Sequence, residues 1–146
     1  MSEKIRQFDT GANRDLADHK HDYEGFLSLP VMRAYGAYMH TNRQLKDGSL
    51  RGSDNWQNGI PKDVYMKSAY RHFMDWWSLH RGYPTYDFEG KEVEMREAIC
   101  GLLFNAMGYL HESIKDEVSF QELTTEQWEE TAREVHQAFE DRHHDV

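Results

Sequence analysis

The sequence predicts an all-α fold, a single-domain helical bundle of about four helices spanning residues 1–146. Apolar residues recur at helical spacing in four separate stretches, and most of these stretches carry a recognisable start or stop signal. No run alternates with the period of two that a half-buried strand needs, so any sheet content is expected to be minor. The aromatic content, 4 Trp, 8 Tyr and 7 Phe, supplies bulky surface for one packed core despite a mean hydropathy of −0.90.

Residues 1–27 hold Gly11, Gly25 and many charges without a sustained apolar period, which predicts an irregular arm folded over the rest. The helical core is expected over 28–116. Ser28-Leu29-Pro30 opens its first helix, because proline is favoured in a first turn where its missing N–H costs nothing. Val31, Ala34, Tyr35, Tyr38 and Met39 follow at helical spacing, with an end near Leu45. Asp47-Gly48 and Gly52-Ser53-Asp54 then mark a long loop at about 46–60, of a length that tends to be functional or mobile. Pro61 starts a second helix through His80, with Gly82 as its stop, and Glu92 to Lys115 reads as the longest and most apolar helix. Thr124 and Gln127 resemble a capping box that opens a C-terminal amphipathic helix over 124–144. Its buried side is Trp128, Ala132, Val135 and Phe139, its other face is acidic, and His143-His144 fray at the end.

Charge and cysteine usage narrow the function. Lys and Arg number 17 against 26 Asp and Glu, a net −9 that repels a polyphosphate backbone and sets duplex nucleic acid aside as a partner. Cys100 is the one cysteine, lies in an apolar stretch and is expected to act as a small buried hydrophobe. The polar beginning of the chain does not resemble a signal peptide, and no apolar run is long enough for a membrane helix, so a cytoplasmic location without membrane contact is expected. Gly-rich phosphate loops, metalloprotease helices, paired-cysteine zinc motifs and Gly-x-Ser-x-Gly elbows are missing from the sequence.

Several clusters remain that can carry chemistry. His72 and Asp75 share a helix face and suit either cation binding or a simple hydrogen bond within the bundle, while adjacent Arg71 suits a phosphate. Glu94 and Glu97 place two carboxylates on one face, either as hard-cation ligands or as a solvated helix start. Asn105 interrupts a strongly apolar helix and needs buried partners. Asn13-Arg14-Asp15 and Lys20-His21-Asp22 set cations beside carboxylates, and Asn55-Trp56 offers an amide and a ring that can face a base or pin the loop to the core. The acidic face of the last helix, Glu126, Glu129, Glu130, Glu134, Glu140 and Asp141, reads as a solvated face or an oligomer rim.

These motifs, taken in order, resemble a family of mostly bacteriophage dATP/dGTP diphosphohydrolases or their amino-terminal domain. The resemblance rests on Thr10-Gly11-Ala12-Asn13-Arg14-Asp15, Lys20-His21-Asp22-Tyr23-Glu24-Gly25, Asp54-Asn55-Trp56 with Gly59-Ile60-Pro61, Tyr70-Arg71-His72-Phe73-Met74-Asp75, and Leu103-Phe104-Asn105. It implies release of pyrophosphate from purine deoxynucleoside triphosphates with the help of Mg2+ or Mn2+. All-helical pyrophosphohydrolases of the MazG type hold metal through Glu-x-x-Glu and Glu-x-x-Asp motifs. Glu94 and Glu97 match the first, whereas Glu112 and Asp116 are spaced one residue too far for the second.

On that reading Asp75, Glu94 and Glu97 hold the metal, Arg14, Lys20 and Arg71 neutralise the triphosphate, His72 orients water or a phosphate oxygen, and Asn55, Trp56 and Asn105 meet the nucleotide. A homo-oligomer is expected, because exposed aromatics and an acidic amphipathic final helix suit a packed interface. Two alternatives remain open: a non-catalytic protein that binds or sequesters a nucleotide, and a phage structural or host-interaction protein.

Overall fold

The computed structural model is predominantly helical, as the apolar periods predict, and describes residues 5–15, 20–117 and 125–143. In chain order the elements are β1 (Ile5–Gln7), β2 (Asn13–Asp15), α1 (Tyr23–Phe26), α2 (Leu29–Thr41), a 3-10 turn at Asn55–Asn58, α3 (Lys62–His80), α4 (Met95–Glu117) and α5 (Thr125–His143). They divide into two compact units, residues 1–37 and 38–146, with α2 running across the division. The expected capping residue Thr124 and tail residue His144 lie outside the described residues, as do the side chains of Glu126, Val135, Phe139, Glu140, Asp141 and His143.

The first unit is more ordered than an irregular arm. Its two strands pair antiparallel in the register Ile5 to Asp15, Arg6 to Arg14 and Gln7 to Asn13. The connecting turn is closed by Phe8 N–H donating to the Ala12 carbonyl at 2.9 Å, and the Arg6 guanidinium lies 5.2 Å from the centre of the Phe8 ring. Strands this short bury nothing and therefore leave no period-2 trace in the sequence. Asp22 then caps α1 by accepting the Gly25 N–H at 2.9 Å.

The second unit is organised by α3 packing against α4, and the two run antiparallel. Tyr65 and His72 project from α3 at a spacing of seven residues, and Gly108 and Gly101 receive them on α4 at the same spacing. A Cβ on Gly101 would stand 2.5 Å from the His72 ring, and one on Gly108 would fall within the Tyr65 ring. Glycine at both positions therefore lets two bulky α3 side chains rest directly on the α4 backbone. The core sits along this seam, with Tyr65, Ala98, Cys100 and Asn105 buried and Val93 closing one end. A Lys62–Asp116 ion pair at 2.5 Å ties the start of α3 to the end of α4. Cys100 is buried as expected, and burial pushes its thiol pKa up, which keeps it protonated.

Two helix boundaries differ from the sequence reading. The first helix stops at Thr41 rather than near Leu45, because the Asn42 side chain turns back to donate to the Tyr38 carbonyl at 2.8 Å. Residues 43–51 then close into a loop of their own. Arg51 N–H donates to the Arg43 carbonyl at 3.1 Å, Arg43 Nε donates to the Arg51 carbonyl at 2.8 Å, and a bridge joins Gln44 to Leu50. The third helix of the core starts at Met95 rather than Glu92. Glu92 is paired with Tyr86 in a small bridge, and the Val93 N–H donates to the Thr85 carbonyl at 2.9 Å, which holds the backbone extended up to the helix. Among the described residues no helix is long and apolar enough to cross a membrane.

Candidate functional site

A cavity of about 340 Å³ opens within the second unit, where the last turn of α2, the loop at 51–60, the middle of α3 and the middle of α4 converge. That volume is in the range of small-molecule sites. From the last turn of α2 and its continuation come Tyr38, Asn42 and Arg43, and from the loop come Arg51, Ser53, Asn55 and Trp56. Ser68 and His72 line it from α3, Phe104 and Asn105 from α4.

Each wall is held in place by a bond or a ring contact. The mutual clasp of Arg43 and Arg51 fixes the mouth of the loop and spends only the Nε of Arg43, leaving the rest of both guanidinium groups available. Trp56 sits in the 3-10 turn and meets the His111 ring edge-on, with centroids 4.7 Å apart, so it both anchors the loop to α4 and presents surface to the cavity. Phe104 is set by an edge-to-face contact with buried Tyr65 at 5.8 Å. Tyr38 is half-buried, and desolvation, reinforced by the charge of Glu97, pushes its hydroxyl pKa up, so it serves as a neutral donor.

His72 lies across Gly101 and is half-buried. Loss of water is the largest influence on its imidazole and lowers its pKa. Asp75 and Glu97 pull in the opposite direction and Arg71 adds to the lowering. The ring is therefore neutral near pH 7, with one donor and one acceptor nitrogen. It makes no hydrogen bond among the described residues.

Asn105 is only 4% exposed. Its Nδ2 donates to the Gly101 carbonyl, one helical turn back, at 2.7 Å.

The expected site residues thus separate into groups. His72, Asn55, Trp56 and Asn105 come together at the cavity. Asp75 lies one turn beyond His72, within electrostatic reach of it, but its Oδ1 accepts the Thr85 hydroxyl at 2.8 Å and it does not line the cavity. Arg71 is exposed on α3. Glu94 immediately precedes α4, and the first helical bond of that helix hangs from its carbonyl, with Ala98 N–H donating at 3.0 Å, while Glu97 stands in the helix's first turn. Among the described residues no group of three His, Cys, Asp or Glu converges to hold a metal, so Asp75, Glu94 and Glu97 do not form a joint ligand set. Arg14 and Lys20 belong to the first unit, where Arg14 pairs opposite Arg6 on the hairpin and both side chains are exposed.

Arg43 and Arg51 are the cavity residues that the sequence reading passed over. They flank the Asp47-Gly48 turn, and two cations bracketing a turn in so acidic a chain are the signal that could have found them. Comparison with protein-family models, with curated proteins and with solved structures finds no match to this chain.

Proposed function

We propose that the second unit binds a nucleotide, with the base and sugar in the cavity and the phosphates directed to Arg43 and Arg51. The observation that carries this reading is the charge of the wall. The chain holds 26 carboxylates to 17 cations, yet among the described residues the cavity is lined by two arginines and by no Asp or Glu. Such a wall selects an anion, and guanidinium groups are suited to phosphate oxygens. The aromatic surface of Trp56 and Phe104 and the amides of Asn55 and Asn105 suit a flat, polar-edged ring. Capture of a nucleotide is the function this geometry supports best.

Titration calorimetry with dATP and dGTP tests it. Arg51→Gln is the cleaner variant, because the backbone of Arg51, not its side chain, holds Arg43. It should weaken binding by roughly tenfold, and added salt should weaken the wild type toward the variant. Absence of binding to either nucleotide, or wild-type affinity in Arg51→Gln, would discard the reading.

A second reading, hydrolysis of dATP or dGTP to monophosphate and pyrophosphate, is favoured by His72, a neutral imidazole at the cavity within reach of Asp75 and Glu97. Asp75, Glu94 and Glu97 do not fit a shared Mg2+ or Mn2+ site, so in this reading the part assigned to the chain is the positioning of water or a phosphate oxygen by His72. Pyrophosphate release from each nucleotide, with and without either cation and with His72→Gln, separates turnover from capture. A homo-oligomer belongs to the same proposal. Met66, Tyr70, Phe73 and Trp77 form an exposed apolar stripe on α3 at the spacing of a helix-packing seam. A monomer by light scattering would remove that part alone.

A further inference from the structure

We infer that the side-chain oxygen of Asn105 reads an exocyclic amino group on the base, making Asn105 a specificity-determining residue of the cavity. The inference rests on the nucleotide reading above and names the kind of base that reading leaves open.

The Gly101 carbonyl accepts hydrogen bonds and cannot donate, so only the NH2 end of Asn105 can face it at 2.7 Å. The amide oxygen is thereby turned to the other side. That oxygen makes no hydrogen bond among the described residues, although Asn105 is 96% removed from solvent (4% exposed). The oxygen is not among the sealed side-chain atoms that lack a partner, so it is the end of Asn105 left open to the cavity, an acceptor to which a ligand can donate in place of water. Asn105 lines the cavity, which is where a partner can enter.

The partner must bring an N–H or O–H. Of the neighbouring wall residues, Asn42 donates to the Tyr38 carbonyl and Arg43 Nε to the Arg51 carbonyl, and neither of these bonds reaches the Asn105 oxygen. An anion's phosphates carry acceptors and suit the arginines, which leaves the sugar hydroxyl or the base as donor, and only the base changes between ligands that share one sugar. An exocyclic amino group stands at the rim of its ring and reaches an acceptor set back in a wall, while the ring itself lies against Trp56 or Phe104. A base that presents only acceptors at that edge would meet the Asn105 oxygen lone pair against lone pair.

The test compares two ligand pairs that differ by one amino group: dATP against the purine deoxynucleoside triphosphate lacking the 6-amino group, and dGTP against dITP. Calorimetry on the full chain should show that the tighter binder of dATP and dGTP loses about tenfold or more in affinity when its amino group is removed. Asn105→Leu, of similar volume and without the acceptor, should bind both members of that pair alike, with its fold checked by circular dichroism. Equal wild-type affinity within both pairs overturns the inference and leaves the nucleotide reading standing, with no variant needed. A preference that persists in folded Asn105→Leu overturns it too, by placing the recognition elsewhere. Failure of all four nucleotides to bind overturns both readings together.

Discussion

Replacing Gly108 with alanine should destabilise the protein, whereas the same replacement at Gly36 should stabilise it. Both glycines lie inside helices, so each alanine gains about 1 kcal/mol from helix propensity. At Gly36 nothing lies within 4 Å of the added Cβ, and the gain stands alone. At Gly108 the added Cβ meets the Tyr65 ring and comes within 2.7 Å of its hydroxyl, and Tyr65 is 0% exposed, so the ring has no open side to move into. Overpacking of that kind costs roughly 1–3 kcal/mol, which exceeds the propensity gain and leaves a net loss of up to about 2 kcal/mol. At roughly 2–4 °C per kcal/mol for a chain near this size, Gly36→Ala should raise the melting temperature by about that interval. Gly108→Ala should lower it, by up to about twice that interval. Thermal melts of the two variants beside the wild type read this directly. If Gly108→Ala also rises, the α3–α4 seam is not set by the glycine pair and the placement of His72 over Gly101 loses its reason.

The remaining predictions concern the groups along the same seam. His72 has a folded pKa below its ordinary 6.5, mainly through desolvation, so the unfolded chain takes up the proton first as pH falls. Its contribution to stability is complete above 6.5 and is lost as pH drops through the lower folded value. The stability of the wild type relative to His72→Gln should therefore decline between about pH 7.5 and about pH 5, and a constant difference would show that the imidazole is not desolvated. The Tyr65 hydroxyl is buried with no hydrogen-bond partner, so Tyr65→Phe should be neutral or stabilising by up to about 1 kcal/mol in urea unfolding, and a clear loss would reveal a partner. Thr85→Val removes the hydroxyl that donates to the part-buried Asp75 carboxylate and should cost about 1–2 kcal/mol by the same measurement, an unchanged midpoint being the contrary result.

The helices were legible because their apolar residues recur at helical spacing and most announce a start. Pro61 precedes α3, and Gly82 follows it closely. What stayed hidden was short or depended on pairing across the chain. The hairpin of β1 and β2 spans three residues per strand and buries neither face, so no pattern records it. The start of α4 was misjudged because Glu92 and Val93 suit a helix locally but are held extended by Tyr86 and Thr85. Of the candidate residues named from the sequence, His72, Asn55, Trp56 and Asn105 line the cavity. Arg43 and Arg51 were missed because their importance comes from a loop closing on itself, and the distribution of charge around a cavity cannot be read from a net value of −9.

The wall of the cavity also constrains how a divalent cation could take part. Carboxylate and water oxygens are the usual partners of magnesium, and among the described residues the cavity presents amides, hydroxyls, an imidazole and two guanidinium groups but no carboxylate. Guanidinium groups repel a bare cation and attract the phosphates that would carry it, so in the proposed reading the two arginines would take the place of the charge that a metal supplies in many nucleotide sites. If the cavity binds a nucleotide as proposed, affinity should consequently survive removal of divalent cations, falling by less than about tenfold when dATP or dGTP is titrated in excess chelator rather than in magnesium. A larger loss would mean that carboxylates reach the phosphates after all, and Asp75 and Glu97, already within electrostatic reach of His72, would be the first to test by substitution to the amides.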